Sequence, residues 1–166
     1  METQQEPIPL VHSMASDGSV IHQKGTFGYV WRNKHGQTIR EGNGTVRGNI
    51  NTMSSYRAEA QGVADCISTL PDKSLQDITL WTDNLALVHR LNQSYPLDPL
   101  KAEWDLVEPT RLRITQHNTR ILWVKGHQTI NEQSPPEVHM NDRADHLANE
   151  AHTHPQTRGY TPPGYK

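Results

Sequence analysis

Four carboxylates in this chain are spaced so that a single fold could bring them together. Asp17 follows one run of strand-forming residues, and Asp83 follows another, Asp77 to Thr82. Glu59 recurs with Val63, Cys66, Ile67 and Leu70 at helical spacing, so it lies along an otherwise apolar stripe. Asp145 borders the inner face of a last helix that carries Ala144, Leu147, Ala148 and Ala151. Neighbouring parallel strands that end in aspartate put negative charges close together, which is costly unless a cation neutralises them. Carboxylate and water oxygens are what Mg2+ or Mn2+ prefers. The four together describe a two-ion site, able to stabilise both the attacking and the leaving oxygen of a phosphodiester. Each one alone has a plainer reading: turn or cap residues at Asp17 and Asp83, a solvated helix residue at Glu59, half of a surface ion pair at Asp145. The plain reading fits Glu59 worst, because a buried unpaired carboxylate is rare.

The elements that must position them follow from pattern and punctuation. Val11 to Asp17 reads as a strand that leads into a turn at Gly18. Thr26 to Arg32 and Thr38 to Val46 are strand-like runs on either side of Asn33-Lys34-His35-Gly36, a hairpin signature. Ser54 or Ser55 can cap a helix that runs to about Leu70, where Pro71 ends it. After the Asp77–Thr82 strand, a helix passes through Leu85, Val88 and Leu91, and a longer one covers about Pro99 to Gln116. Pro109 predicts a kink or break in the second of these. Thr119 to Lys125 is a strand, Pro135 and Pro136 belong to a loop, and Asn141 to about His152 is the closing helix. The order β-β-β-α-β-α-α-β-α predicts an α/β domain: a mixed sheet, antiparallel in its opening hairpin and parallel where helices intervene.

Composition agrees with one compact domain over residues 10–152, flanked by polar tails at 1–9 and 153–166. No apolar run approaches the length of a bilayer span, and the N-terminus lacks a secretory pattern, so the expected location is cytoplasm or nucleus, with no membrane partner. A single cysteine, Cys66, excludes an internal disulfide and a multi-cysteine zinc site. Sixteen basic residues against eighteen acidic ones give a net charge of −2, low for an unaided nucleic-acid binder. The candidate phosphate contacts, Arg111, Arg113, Arg120 and Lys125, are few.

Five short motifs then fall in order. They are Ala15-Ser16-Asp17-Gly18-Ser19, Tyr56-Arg57-Ala58-Glu59, Trp81-Thr82-Asp83-Asn84, Trp123-Val124-Lys125-Gly126-His127 and Asn141-Asp142-Arg143-Ala144-Asp145. Together they resemble type 1 ribonuclease H from about Ser13 to Ala151. The resemblance implies a ribonuclease H-like fold, a five-stranded mixed sheet in order 3-2-1-4-5 flanked by helices. It further implies hydrolysis of the RNA strand of an RNA–DNA hybrid with two Mg2+ ions, or Mn2+, giving a 3′-hydroxyl and a 5′-phosphate. Asp17, Glu59, Asp83 and Asp145 would hold the ions, and His127 would assist proton transfer or product release. His139, in the same long loop, is the competing histidine. Gly18, Ser19, Ser54, Ser55, Tyr56 and Asn84 occupy positions implied to face the substrate, where 2′-hydroxyls distinguish RNA from DNA. Family members often carry Asn where this chain has Tyr56, and Gln where it has Leu85.

Asn92 to Lys101 holds one lysine and two prolines where many bacterial members insert a basic helix and loop. That absence resembles the forms fused to reverse transcriptases, which makes a reverse transcriptase a possible associated partner. Two other functions compete: a related DNA-acting nuclease, and an inactive ribonuclease H-like binding or structural module. The Tyr-Arg-Ala-Glu and Gly-His motifs argue against the first. Retention of all four acids argues against the second.

Overall fold

The computed structural model describes residues 11–48, 50–68, 70, 77–94 and 96–154. The expected tails lie outside these residues, apart from Thr153 and His154, whose amides bond back to the carbonyl of Glu150. The described residues hold five strands: β1 (Ser13–Ile21), β2 (Lys24–Arg32), β3 (Thr38–Thr45), β4 (Ile78–Thr82) and β5 (Thr119–Trp123). Four α-helices accompany them: α1 (Ser55–Ser68), α2 (Leu85–Leu91), α3 (Trp104–Gln116) and α4 (Pro136–Glu150). The sheet runs β3-β2-β1-β4-β5, with β1–β2 and β2–β3 antiparallel, and β1–β4 and β4–β5 parallel. Order and mixed character are as expected from the sequence.

Alternation along β1 divides the molecule into two faces. Met14 joins the large core with Phe27, Trp31, Val63, Ile67, Leu80 and Ile121, beneath α1, α2 and α3. Ala15 instead meets Val30, Met140 and Trp81 under α4, which crosses β1 and β2. Asp17 follows on this second face.

Several strand ends shift by two residues, and three boundaries differ more from the sequence reading. Gly18 does not turn the chain; β1 continues to Ile21, and the reversal comes at His22 and Gln23, both with positive φ. Positive φ at both central residues is the hairpin geometry that matches strand twist, usually supplied by Asn-Gly. Asp17 therefore lies inside its strand rather than at its end. The closing helix begins at Pro136, not Asn141, because proline at the first helical position forfeits no intrahelical hydrogen bond. The third helix begins at Trp104 rather than Pro99 and passes through Pro109 unbroken. The carbonyl that Pro109 leaves without a donor belongs to Asp105, which is exposed, so water can serve it. Among the described residues no helix is long and apolar enough to cross a membrane.

Candidate metal centre and active site

Three glycines let the site close. A Cβ on Gly18 would lie 2.6 Å from the Ala58 carbonyl carbon and from the Glu59 nitrogen, so β1 can meet α1 only without one. A Cβ on Gly28 would lie 2.4 Å from the Ala144 carbonyl oxygen, which brings α4 down onto β2 just before Asp145. Gly126 does the same for the loop after β5, against the side chain of Asp83. Asn43 and Thr26 fasten α4 from below, donating to the carbonyls of Leu147 at 2.8 Å and Ala148 at 2.5 Å. Arg57 fastens α1, donating to the Arg47 carbonyl and pairing with Glu103 and Asp105.

Asp17, Glu59 and Asp83 come together as a result, each offering a carboxylate oxygen within 4.8 Å of the others. Asp17 and Glu59 are buried, and Asp83 is half-buried. Asp145 stands just outside this trio, half-buried on α4, and lines one cleft with Asp17, Asp83, Lys125 and His127. Burial, then the charge of Asp83, pushes the Asp17 carboxyl up to about 8. The same two influences, burial first and then neighbouring Asp17, hold Glu59 well above the carboxylate range. Burial also raises Asp83, while the nearby His127 pulls the other way.

An oxygen of Glu59, Oε2, is buried without a hydrogen-bond partner. Clustered oxygen donors that repel one another, one of them unsatisfied, are suited to a hard divalent cation. The residues present fit Mg2+.

Of the two histidines, His127 reaches the cleft. It is exposed, with φ of 53°, on the loop that Gly126 anchors. His139 lies on α4, in its first turn, and is not part of the cleft lining. His152, at the expected end of the closing helix, packs inward, its Nε2 3.1 Å from both Thr26 and Ser19.

The expected substrate positions are more scattered. Ser54 and Asn84 cap α1 and α2, accepting from the amides of Arg57 and Leu87. Ser55 is exposed beside them, and the Tyr56 hydroxyl accepts from Arg90 at 3.1 Å. Gly18 packs against α1, and Ser19 donates to Asn149 at 3.1 Å, so both serve the fold. Arg111 is a correction: it is buried and paired with Glu108 at 2.8 Å, leaving no guanidinium for a phosphate. Arg113 is spent on the carbonyls of Ile67 and Ser68.

Two residues beyond the expected set adjoin the carboxylates or their cleft. Asn141 is buried in the cleft wall, and its Oδ1 has no partner; its place within the last motif was the available signal. Trp123 is exposed and donates its indole N–H to the Asp83 carbonyl at 3.1 Å.

The family model for RNase H matches residues 11–153. The chain belongs to the RNase H family. Its fold is shared with RNase H1 of the halophilic archaeon Halobacterium salinarum, at TM-score 0.58 and 21% identity, covering 86% of this chain and 97% of that one. It is shared likewise with LC11-RNase H1, solved in complex with an RNA/DNA hybrid, at TM-score 0.62 and 15% identity, covering 83% and 94%. Prototype foamy virus protease-reverse transcriptase aligns at TM-score 0.64 and 17% identity, over 89% of this chain and 21% of that protein. No curated protein sequence matches the chain.

Proposed function

We propose that this RNase H family chain is an endonuclease that hydrolyses the RNA strand of RNA–DNA hybrids. The carrying observation is the carboxylate trio, held within 4.8 Å, with Oε2 of Glu59 buried and unpartnered. Asp17, Glu59 and Asp83 would hold one Mg2+, and Asp145 would complete the cleft for a second. When bound, such ions supply the electrostatic stabilisation that lets water displace the 3′-oxygen at an RNA phosphodiester. The protein's share is to fix the carboxylates beforehand, so that no reorganisation is needed as charge develops. His127, exposed near Asp83, would move a proton or ease departure of the products. The products carry a 5′-phosphate and a 3′-hydroxyl.

Ser54, Ser55 and Tyr56 at the opening of α1, and Asn84 at the opening of α2, would contact the hybrid. A likeness in fold to a segment of a viral reverse transcriptase, together with the missing basic insertion, supports a domain that works attached to a polymerase. Tethering would then supply the grip that a net charge of −2 does not. The test is incubation of the chain with end-labelled RNA–DNA hybrid and with duplex DNA, with and without Mg2+. Mg2+-dependent cutting of the RNA strand alone is the expected result. Cutting of duplex DNA, or of neither, would overturn the reading.

A further inference from the structure

Among the described residues, only half of the sheet's second face is covered. α4 crosses β1 and β2 and barely reaches β4, so the side chains of Thr79, Trp81, Arg120 and Leu122 line an opening beside it. A groove of about 310 Å3 results, walled on one side by Pro136, Glu137 and Met140 of α4, and on the other by the β2–β3 turn. That volume lies at the small end of the range of about 300–1,000 Å3 usual for ligand sites, enough for a few side chains.

Its chemistry is divided between floor and rim. Trp81, Leu122 and Met140 supply an apolar floor, with Trp81 seated against Ala15 and Val30. The rim carries His12 just before β1, Arg32 at the end of β2, Lys34 in the β2–β3 turn and Arg120 on β5, against one carboxylate, Glu137. This concentration stands out in a chain of net charge −2 in which Arg57, Arg111 and Arg143 are committed to carboxylates and Arg113 to backbone carbonyls. Nε of Arg32 is buried without an acceptor, so an incoming oxygen would satisfy it.

Apolar floor plus arginine rim, with tryptophan and methionine at the centre, is the composition of a protein interface core. A polynucleotide would need repeated aromatic platforms and an unbroken cationic track. The groove has one aromatic, and Glu137 interrupts the rim. We propose that it docks a short acidic segment of a partner protein. Its apolar side chain would rest on Trp81, Leu122 and Met140, and its carboxylates would pair with Arg32, Lys34 and Arg120.

The test is selection of phage-displayed random short peptides on the full chain, followed by fluorescence anisotropy with the enriched peptides. Acidic peptides carrying a large apolar residue should enrich. Their affinity should fall at least about tenfold in the Lys34→Glu and Arg120→Glu variants, as loss of charge-assisted contacts requires. Both side chains are exposed, so circular dichroism should show the fold retained. Failure of acidic peptides to enrich, or binding indifferent to both substitutions, overturns the proposal. So does a labelled oligothymidylate or hybrid that loses affinity in these variants while peptide binding is untouched, which would make the groove a nucleic-acid site.

Discussion

A Cβ on Gly126 would stand 2.5 Å from Oδ2 of Asp83, nearer than such atoms approach one another in real proteins. The atom it meets is the free end of a side chain, so the carboxylate can swing aside and the fold survive. Gly126→Ala should therefore lower hybrid cleavage by about 10²-fold, the effect of misplacing a reacting group by roughly an ångström. Stability should change by less than about 1 kcal/mol. Turnover kinetics alongside thermal melts would check both. An alanine variant with wild-type turnover would show that Asp83 does not need its present position.

Asp83→Asn should abolish Mg2+-dependent cleavage and leave the metal-free protein at least as stable as the parent. It removes a charge that Asp17 and Glu59 both feel, at the cost of one cation donor. Each kcal/mol of repulsion relieved would raise Tm by about 2–4 °C for a domain of this size. Differential scanning calorimetry without divalent ions is the measurement. An active Asp83→Asn enzyme would remove Asp83 from the site.

The Asp17 carboxyl, pushed up to about 8 by burial and by Asp83, makes stability depend on pH in a definite direction. Its folded value lies above its ordinary 3.8, so the folded state binds the proton more tightly. That contribution is complete below about pH 4 and is lost as pH climbs through 8. His152, lowered by burial and Lys24, works in the opposite sense, so the informative quantity is wild type minus Asp17→Asn. Without Mg2+ that difference should become more unfavourable to wild type between pH 5 and 9. Added Mg2+ must displace the proton, so its stabilising effect should grow over the same window. Mg2+ stabilisation independent of pH would count against Asp17 as a ligand.

His127→Ala should slow turnover by about 10²- to 10⁴-fold without eliminating it, the usual worth of assisted proton transfer. His139→Ala should leave turnover near the wild-type rate, because His139 lies outside the cleft lining. Steady-state and single-turnover assays on both variants would tell proton transfer from product release. The reverse pattern would transfer the role to His139.

Much of this site was legible because its signals are local. Glu59 on an apolar stripe, and aspartates beside strand-forming runs, mark themselves by type and spacing. What escaped was the reason for the glycines. Gly18 reads as a turn because glycine usually serves conformation, whereas here it serves approach, and only the opposing Ala58–Glu59 backbone reveals this. Pro136 reads as loop for a similar reason, since a proline breaks a helix it interrupts yet starts one it heads. Arg111 looked available because an i,i+3 partner, Glu108, is weak evidence in sequence and decisive once both are buried or nearly so. Trp123 heads a motif, but its bond to a backbone carbonyl forty positions away could not be read from it.

The caps of α1 and α2 have a consequence for what can be recognised at their mouths. Ser54 spends a lone pair on Arg57, and Asn84 spends its side-chain oxygen on Leu87. Each keeps a donor in hand, a hydroxyl hydrogen on Ser54 and an amide NH2 on Asn84, while one of its oxygen's two lone pairs is already taken. The caps thus tilt the helix mouths toward giving hydrogens, a polarity that phosphate oxygens, ribose hydroxyl oxygens and the acceptor edges of bases complement.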